Sequence, residues 1–190
     1  MVARLTSVQP EGEYALLQRA GAGDEQAVRE LLRTHAPRLH RHASRILGSH
    51  DPDVEDVVQQ VFLAALDGAE RFDGRSSVAT WLFGITTRRA LDAARARFRR
   101  QRWAKVGEVV GMGGASGQPD TTFQAADEAQ VVLTALTPDQ RMVFVMHDVE
   151  GYTFAEISSL TDVGISTLHS RLKAARKRIA SLVAEEGIRV

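Results

Sequence analysis

There is no cysteine anywhere in the 190 residues of the chain. Disulfide scaffolds, thiolate zinc sites, iron–sulfur clusters and thiol redox sensing are thereby excluded. Net charge is missing too: 24 Lys+Arg balance 24 Asp+Glu. Taken whole, that balance argues against a nucleic-acid partner, because such proteins are usually basic. No apolar run approaches the roughly 18 residues needed to cross a bilayer, so no membrane insertion is expected. The N-terminal MVARLTSVQPEGEYALL has no signal-peptide layout, and a cytoplasmic setting follows as the expectation. Aromatic residues are few, at 6%, and alternating strand patterns are almost absent. Apolar positions instead recur at helical spacing, so the expected fold is all-α. Motifs of catalysis are lacking as well: no Gly-rich phosphate loop ending in Lys-Ser/Thr, no nucleophile elbow, no His-Glu-x-x-His. No catalytic residue, no cofactor and no metal are expected. His35, His40 and His42 read as ordinary surface and core histidines. The acids of Asp51–Asp56 suit a helix N-terminus for dipole reasons alone.

What the chain does contain is arginine, unevenly placed. Of the 24 basic residues, 21 are Arg and only Lys105, Lys173 and Lys177 are Lys. Between Arg88 and Arg102 lie seven Arg against Asp92 alone, a local balance of +6. Between Arg171 and Arg178 lie five bases and no acid. The neutral total is a cancellation of patches, and two separate basic blocks point back toward a polyanion.

Helix signals organise the chain into two parts. Asp24 caps a helix with Val28, Leu31, Leu32, Leu39, Ala43, Ile46 and Leu47 inward, and Pro37 predicts a kink or break within it. Asp51-Pro52 opens a second helix with Val54, Val57, Val58, Val61 and Phe62 inward. A loop over residues 72–77 ends at a Ser cap, and a long helix with Val78, Trp81, Leu82, Ile85 and Leu91 inward runs into the Arg block. Between Val106 and Gln124 the periodicity collapses among glycines, which reads as a flexible linker. Beyond it, Thr137-Pro138-Asp139-Gln140 and Thr153-Phe154-Ala155-Glu156 are capping boxes. A short helix, a break at Asp162-Val163-Gly164 and a basic helix with Ile165, Leu168, Leu172, Ala175 and Ile179 inward together describe a helix-turn-helix. The fold class is therefore two small helical domains joined by a flexible linker, the second a helix-turn-helix domain.

In that motif the second helix enters the major groove near its N-terminal end. Ser166, Thr167, His169, Ser170, Arg171, Lys173, Arg176 and Lys177 are the candidates here. Short hydroxyls allow close approach, and the bases pair with phosphate or guanine. The Arg88–Arg102 helix supplies phosphate contact, with Trp81 and Trp103 near it as platforms for unstacked bases.

Three segments carry a family resemblance: Asp53-Val54-Glu55-Asp56-Val57-Val58-Gln59-Gln60-Val61-Phe62, Phe72-Asp73-Gly74-Arg75-Ser76-Ser77-Val78-Ala79-Thr80-Trp81-Leu82-Phe83, and Leu136-Thr137-Pro138-Asp139-Gln140-Arg141 with Gly151–Leu172. In this order, around a linker, they resemble the extracytoplasmic-function (group IV) sigma factors of bacterial RNA polymerase. The resemblance implies a first domain, region 2, over 13–103, a linker over 104–127 and a second domain, region 4, over 128–187. It implies docking on the clamp helices of the polymerase beta-prime subunit through Asp53, Asp56, Gln59 and Gln60. It implies capture and melting of the minus-ten element by Asp73, Gly74, Arg75, Ser76, Ser77, Thr80, Arg88, Asp92, Arg95 and Arg99. Region 4 would read the minus-thirty-five element as duplex and pack on the beta flap. Promoter DNA, core polymerase and an anti-sigma factor are the implied partners. Gln60, Arg88 and Asp162 depart from the family's usual Glu, Asn and Gly. A self-sufficient helix-turn-helix regulator with an N-terminal helical sensing domain is the alternative, and it would need a dimer on palindromic half-sites.

Overall fold

The computed structural model describes residues 11–49, 51–109 and 132–186. Seven helices make up most of it: α1 (Glu11–Gly21), α2 (Glu25–Leu47), α3 (Asp53–Gly68), α4 (Val78–Val109), α5 (Pro138–Phe144), α6 (Phe154–Thr161) and α7 (Ile165–Glu186). Among the described residues there is no strand. The expected linker falls partly in α4, which stays helical through Val109, and partly outside the described residues.

The helix starts are built as their side chains dictate. Asp24 accepts from the Gln26 and Ala27 backbone N–H groups, so two orphan donors of α2 are satisfied. Ser77 accepts from the Thr80 N–H at 3.0 Å at the head of α4. Thr137 with Gln140, and Thr153 with Glu156, form complete capping boxes. Pro52 sits one position earlier than expected, at the N-cap of α3, and the carboxylate of Asp51 takes the Asp53 N–H instead.

Pro37 does not break α2, which runs unbroken from Glu25 to Leu47. A proline inside a helix costs about 3 kcal/mol. Here Leu31, His35, Leu39, His42, Ala43 and Ile46 are buried on both sides of it, and that packing holds the helix together.

Helices α2, α3 and α4 pack together, with α1 closing one end through Leu17 and Ala20. The second domain does not form a separate globule. Met142, Val143, Met146, Tyr152, Ile157, Leu168 and Leu172 belong to the same apolar cluster as Leu39, Ile46, Leu82, Phe83 and Leu91. After α5 the backbone widens into a π turn over Val145–Val149, closed by the Glu150 N–H donating to the Val145 carbonyl at 2.9 Å. That turn delivers Glu150 to the first domain.

Candidate nucleic-acid interface

The helix-turn-helix is formed by α6, the bend at 162–164 and α7. Asp162 has φ 57°, a left-handed conformation, and its N–H donates to the Ser158 carbonyl. Asp tolerates this geometry better than most non-glycine residues, so the turn closes without the usual glycine. On α7, Leu168, Leu172, Ala175 and Leu182 are buried. Ser166, Thr167, His169, Ser170, Lys173, Arg176 and Lys177 are exposed. Ile165 departs from the expectation: it is 47% exposed rather than inward. It stands one turn ahead of Leu168, where the chain has only just left the bend.

Two of the expected contact residues are already engaged. The Arg176 guanidinium donates to both oxygens of Asp148, at 2.9 and 2.7 Å, and holds that carboxyl below the usual range. Arg171, half-buried, lies 3.1 Å from Asp139. The His169 ring packs at a tilt against Phe154, ring centres 3.8 Å apart, and Phe154 in turn meets His147 at 4.4 Å.

In the first domain, the loop after Phe72 stands out into solvent. Asp73, Gly74 and Arg75 are exposed, and Ser76 and Ser77 are half-buried. Gly74 has φ +72°, which only glycine adopts freely, and lies against the Tyr14 ring. Asp73 organises the turn by accepting the Arg75 N–H at 3.1 Å. Phe72 is buried and Trp81 packs on it, ring centres 5.0 Å apart. Trp103 is 73% exposed among the exposed Arg99, Arg100 and Arg102. Along α4, Thr80 shares a hydrogen bond with Ser77 at 2.7 Å, and Asp92 is exposed. Arg88 donates to the Leu160 carbonyl at 2.7 Å, and Arg95 meets Asp139 at 2.6 Å, which raises its basicity further.

On α3, Asp56 and Gln59 are exposed and Asp53 and Gln60 half-buried. Gln60 donates to Asp56 at 2.6 Å and accepts from Arg89 at 3.1 Å, so the neutral amide links an acid to a base. The acid cluster is not wholly solvent-facing. Asp51 is buried and paired with Arg97. Periodicity alone missed an apolar cleft of about 330 Å³ between α2 and α3, lined by Val28, Leu32, Ala36, Phe62, Leu63 and Leu66 and bordered by Gln59. Leu32, expected inward, is 37% exposed at this cleft, and Leu63, outside the expected apolar stripe of α3, is 62% exposed.

A chain whose described residues form helices without a strand, and which joins a helix-turn-helix to a second basic helix and a polar loop beside an aromatic pair, has the layout of a helix-turn-helix DNA-binding protein. Family-level comparison resolves it further. Residues 31–104 match Sigma-70 region 2, and residues 126–179 match Sigma-70 region 4. The ECF RNA polymerase sigma factor SigM of Mycobacterium tuberculosis is 32% identical over 168 residues, covering 88% of this chain and 83% of the relative. The ECF RNA polymerase sigma-E factor of Escherichia coli is 27% identical over 181 residues, covering 90% and 94%. The fold is that of CnrH, solved in complex with the cytosolic domain of CnrY. That match has TM-score 0.59 and 22% identity, over 93% of this chain and 99% of that one. The fold is shared too by the sigma factor RpoE of Bartonella quintana, solved with the anti-sigma factor NepR, at TM-score 0.54 and 23% identity over 83% and 97%.

The chain belongs to the ECF RNA polymerase sigma factors. It works with RNA polymerase to direct transcription initiation at promoters. A self-sufficient regulator is not favoured by these relationships.

Proposed function

We propose that the two domains divide promoter recognition as follows. Region 2, over 13–103, docks on the beta-prime clamp helices through Asp53, Asp56, Gln59 and Gln60, and the apolar cleft beside Gln59 extends that surface. The loop 73–77 with Thr80, Arg88 and Asp92 takes unpaired minus-ten bases, and Arg95 and Arg99 hold the neighbouring backbone. Region 4, over 128–187, reads the minus-thirty-five duplex with α7 and packs on the beta flap, and 104–127 joins the two. Extruding a base costs a few kcal/mol, so a pocket that receives it offsets part of the melting. The protein itself has no catalytic role. It works in the cytoplasm, and an anti-sigma factor controls its access to polymerase; the sigma factor RpoE of Bartonella quintana, which shares the fold, is solved in complex with the anti-sigma factor NepR.

One observation carries this reading: on α7, Ser166, Thr167, His169, Ser170 and Lys173 face outward while Leu168 and Leu172 are buried. The test is reconstitution with core polymerase on a panel of promoters. Asp56→Ala with Gln59→Ala should weaken core binding without altering promoter preference. Ser170→Ala should relax minus-thirty-five selectivity at unchanged core binding. Loss of both properties in either variant would overturn the division of labour.

A further inference from the structure

Tyr14, in the first turn of α1, lies against the loop Asp73–Ser77 and is 39% exposed. Its ring meets buried Phe72 with centres 5.9 Å apart, and Phe72 in turn meets Trp81 at 5.0 Å. The three rings form a row, and Tyr14 is its open end. A Cβ at Gly74 would lie 3.7 Å from Tyr14 Cδ2 and Cε2. Any side chain there would cover that side of the ring, and glycine leaves it bare.

Packing of α1 fixes the ring in this place. Tyr14, Leu17, Gln18 and Gly21 recur at intervals of three and four, on one helix face. Leu17 is buried, and Gln18 donates to the Ala69 carbonyl at 2.6 Å. Gly21 sits so near Ala69 that a Cβ would collide with it. The turn Ala69–Arg71 that receives α1 leads directly into Phe72 and the loop. Helix and loop are therefore seated on the same short turn, and the ring keeps its position beside Gly74. Tyr14 also precedes residues 31–104, the segment that matches Sigma-70 region 2.

Single-stranded nucleic acid is held by aromatic faces for its bases and cations for its backbone. Tyr14 supplies the first. Arg75, the residue after Gly74, supplies the second, with a side chain 88% exposed. Its ion pair with Asp73 at 3.0 Å is open to solvent, so exchange for a phosphate costs little. The two tryptophans are worse placed for this loop. Trp81 is packed on Phe72 and over Gly68. Trp103 stands about 33 Å farther along α4 than Trp81, at 1.5 Å per residue.

We propose that Tyr14 is a promoter contact: its ring stacks on an unpaired minus-ten base held by the loop 73–77, while Arg75 takes an adjoining phosphate. The inference rests on the assignment of that loop to unpaired minus-ten bases. Losing one base–aromatic stack weakens single-strand binding by about tenfold.

A double-mutant cycle on the reconstituted holoenzyme tests it. The DNA is a promoter fork with the minus-ten strand unpaired, either intact or with one abasic site at each unpaired position in turn. Tyr14→Leu keeps an apolar side chain and helix propensity, and thermal unfolding with core binding checks that it is folded. It is expected to bind the intact fork about tenfold more weakly than the parent, and to match the parent on the fork lacking one particular base. Tyr14→Phe, which retains the ring, is expected to bind like the parent on every fork. A loss of the same size on all forks would place the effect in the fold rather than on a base, and overturn the proposal. Equal binding of the intact fork by parent and Tyr14→Leu would overturn it too. Arg75→Ala separates the stack from the loop assignment. If Arg75→Ala weakens fork binding and Tyr14→Leu does not, the stack falls and the loop assignment stands. If neither weakens it, the loop assignment itself falls.

Discussion

His35 and Glu150 are both buried and ionisable, and pH acts on each through burial and neighbours. Burial holds the His35 imidazole below its ordinary value of 6.5, against the opposing pull of Glu13. The folded chain therefore binds fewer protons at this site than the unfolded chain. Its contribution is complete above pH 6.5 and is lost as pH falls through the lowered folded value. Urea midpoints should decline from pH 6.5 toward 4.5 in the parent and stay closer to level in His35→Leu. Burial of Glu150 works against its charge, but His42 and Arg45 outweigh it and hold the carboxyl below its ordinary 4.5. This group stabilises above pH 4.5 and ceases to as the medium becomes more acid. Glu150→Ala leaves His42 buried without its partner, and should cost about 3 kcal/mol at neutral pH, measured by urea unfolding. Arg141 is displaced in the same direction as His35. Burial and the nearby Arg97 bring it down to about 10, and carbonyl oxygens of α2 satisfy it.

Among the elements, the helix-turn-helix bend depends on one backbone conformation. Asp162 is the sole non-glycine with positive φ among the described residues. Asp162→Gly should raise stability by about 1 kcal/mol, and Asp162→Val should lower it by a similar amount or more, read from thermal unfolding. On α7, the outward Lys173 is placed to meet phosphate. Lys173→Ala should reduce the slope of log affinity against log salt by about 1 on a minus-thirty-five duplex, roughly equally across sequences. Arg176 is bound to Asp148 at both oxygens, so its replacement should shift that slope less. The capping boxes at Thr137 and Thr153 were legible from sequence because both partners lie three residues apart. Ile165 was not, because helical spacing gives a residue's face but not where the neighbouring helix ends.

Across the whole molecule, a single apolar cluster joins the two domains. Unfolding should therefore be one cooperative transition in calorimetry, with calorimetric and van't Hoff enthalpies in agreement. Two resolved transitions would show that the domains melt as independent units. The zero net charge also takes its meaning at this scale. Part of the basic surplus of α4 and α7 is neutralised internally, by Asp139, Asp148 and Asp51.

The all-α class, the capped starts of α2, α4, α5 and α6, the helix-turn-helix and the segments that mark the family were all determined by the sequence alone. Each rests on local rules: a cap and its partner lie within one turn, and apolar spacing repeats every three or four residues. Only the tertiary structure decided that α2 runs through Pro37, that Asp51 is buried against Arg97, and that Arg88 and Arg95 reach across to Leu160 and Asp139. These pairings join residues 44 to 72 positions apart. Nothing in the local pattern carries such distances, because each forms only when burial of the shared core brings the two segments together.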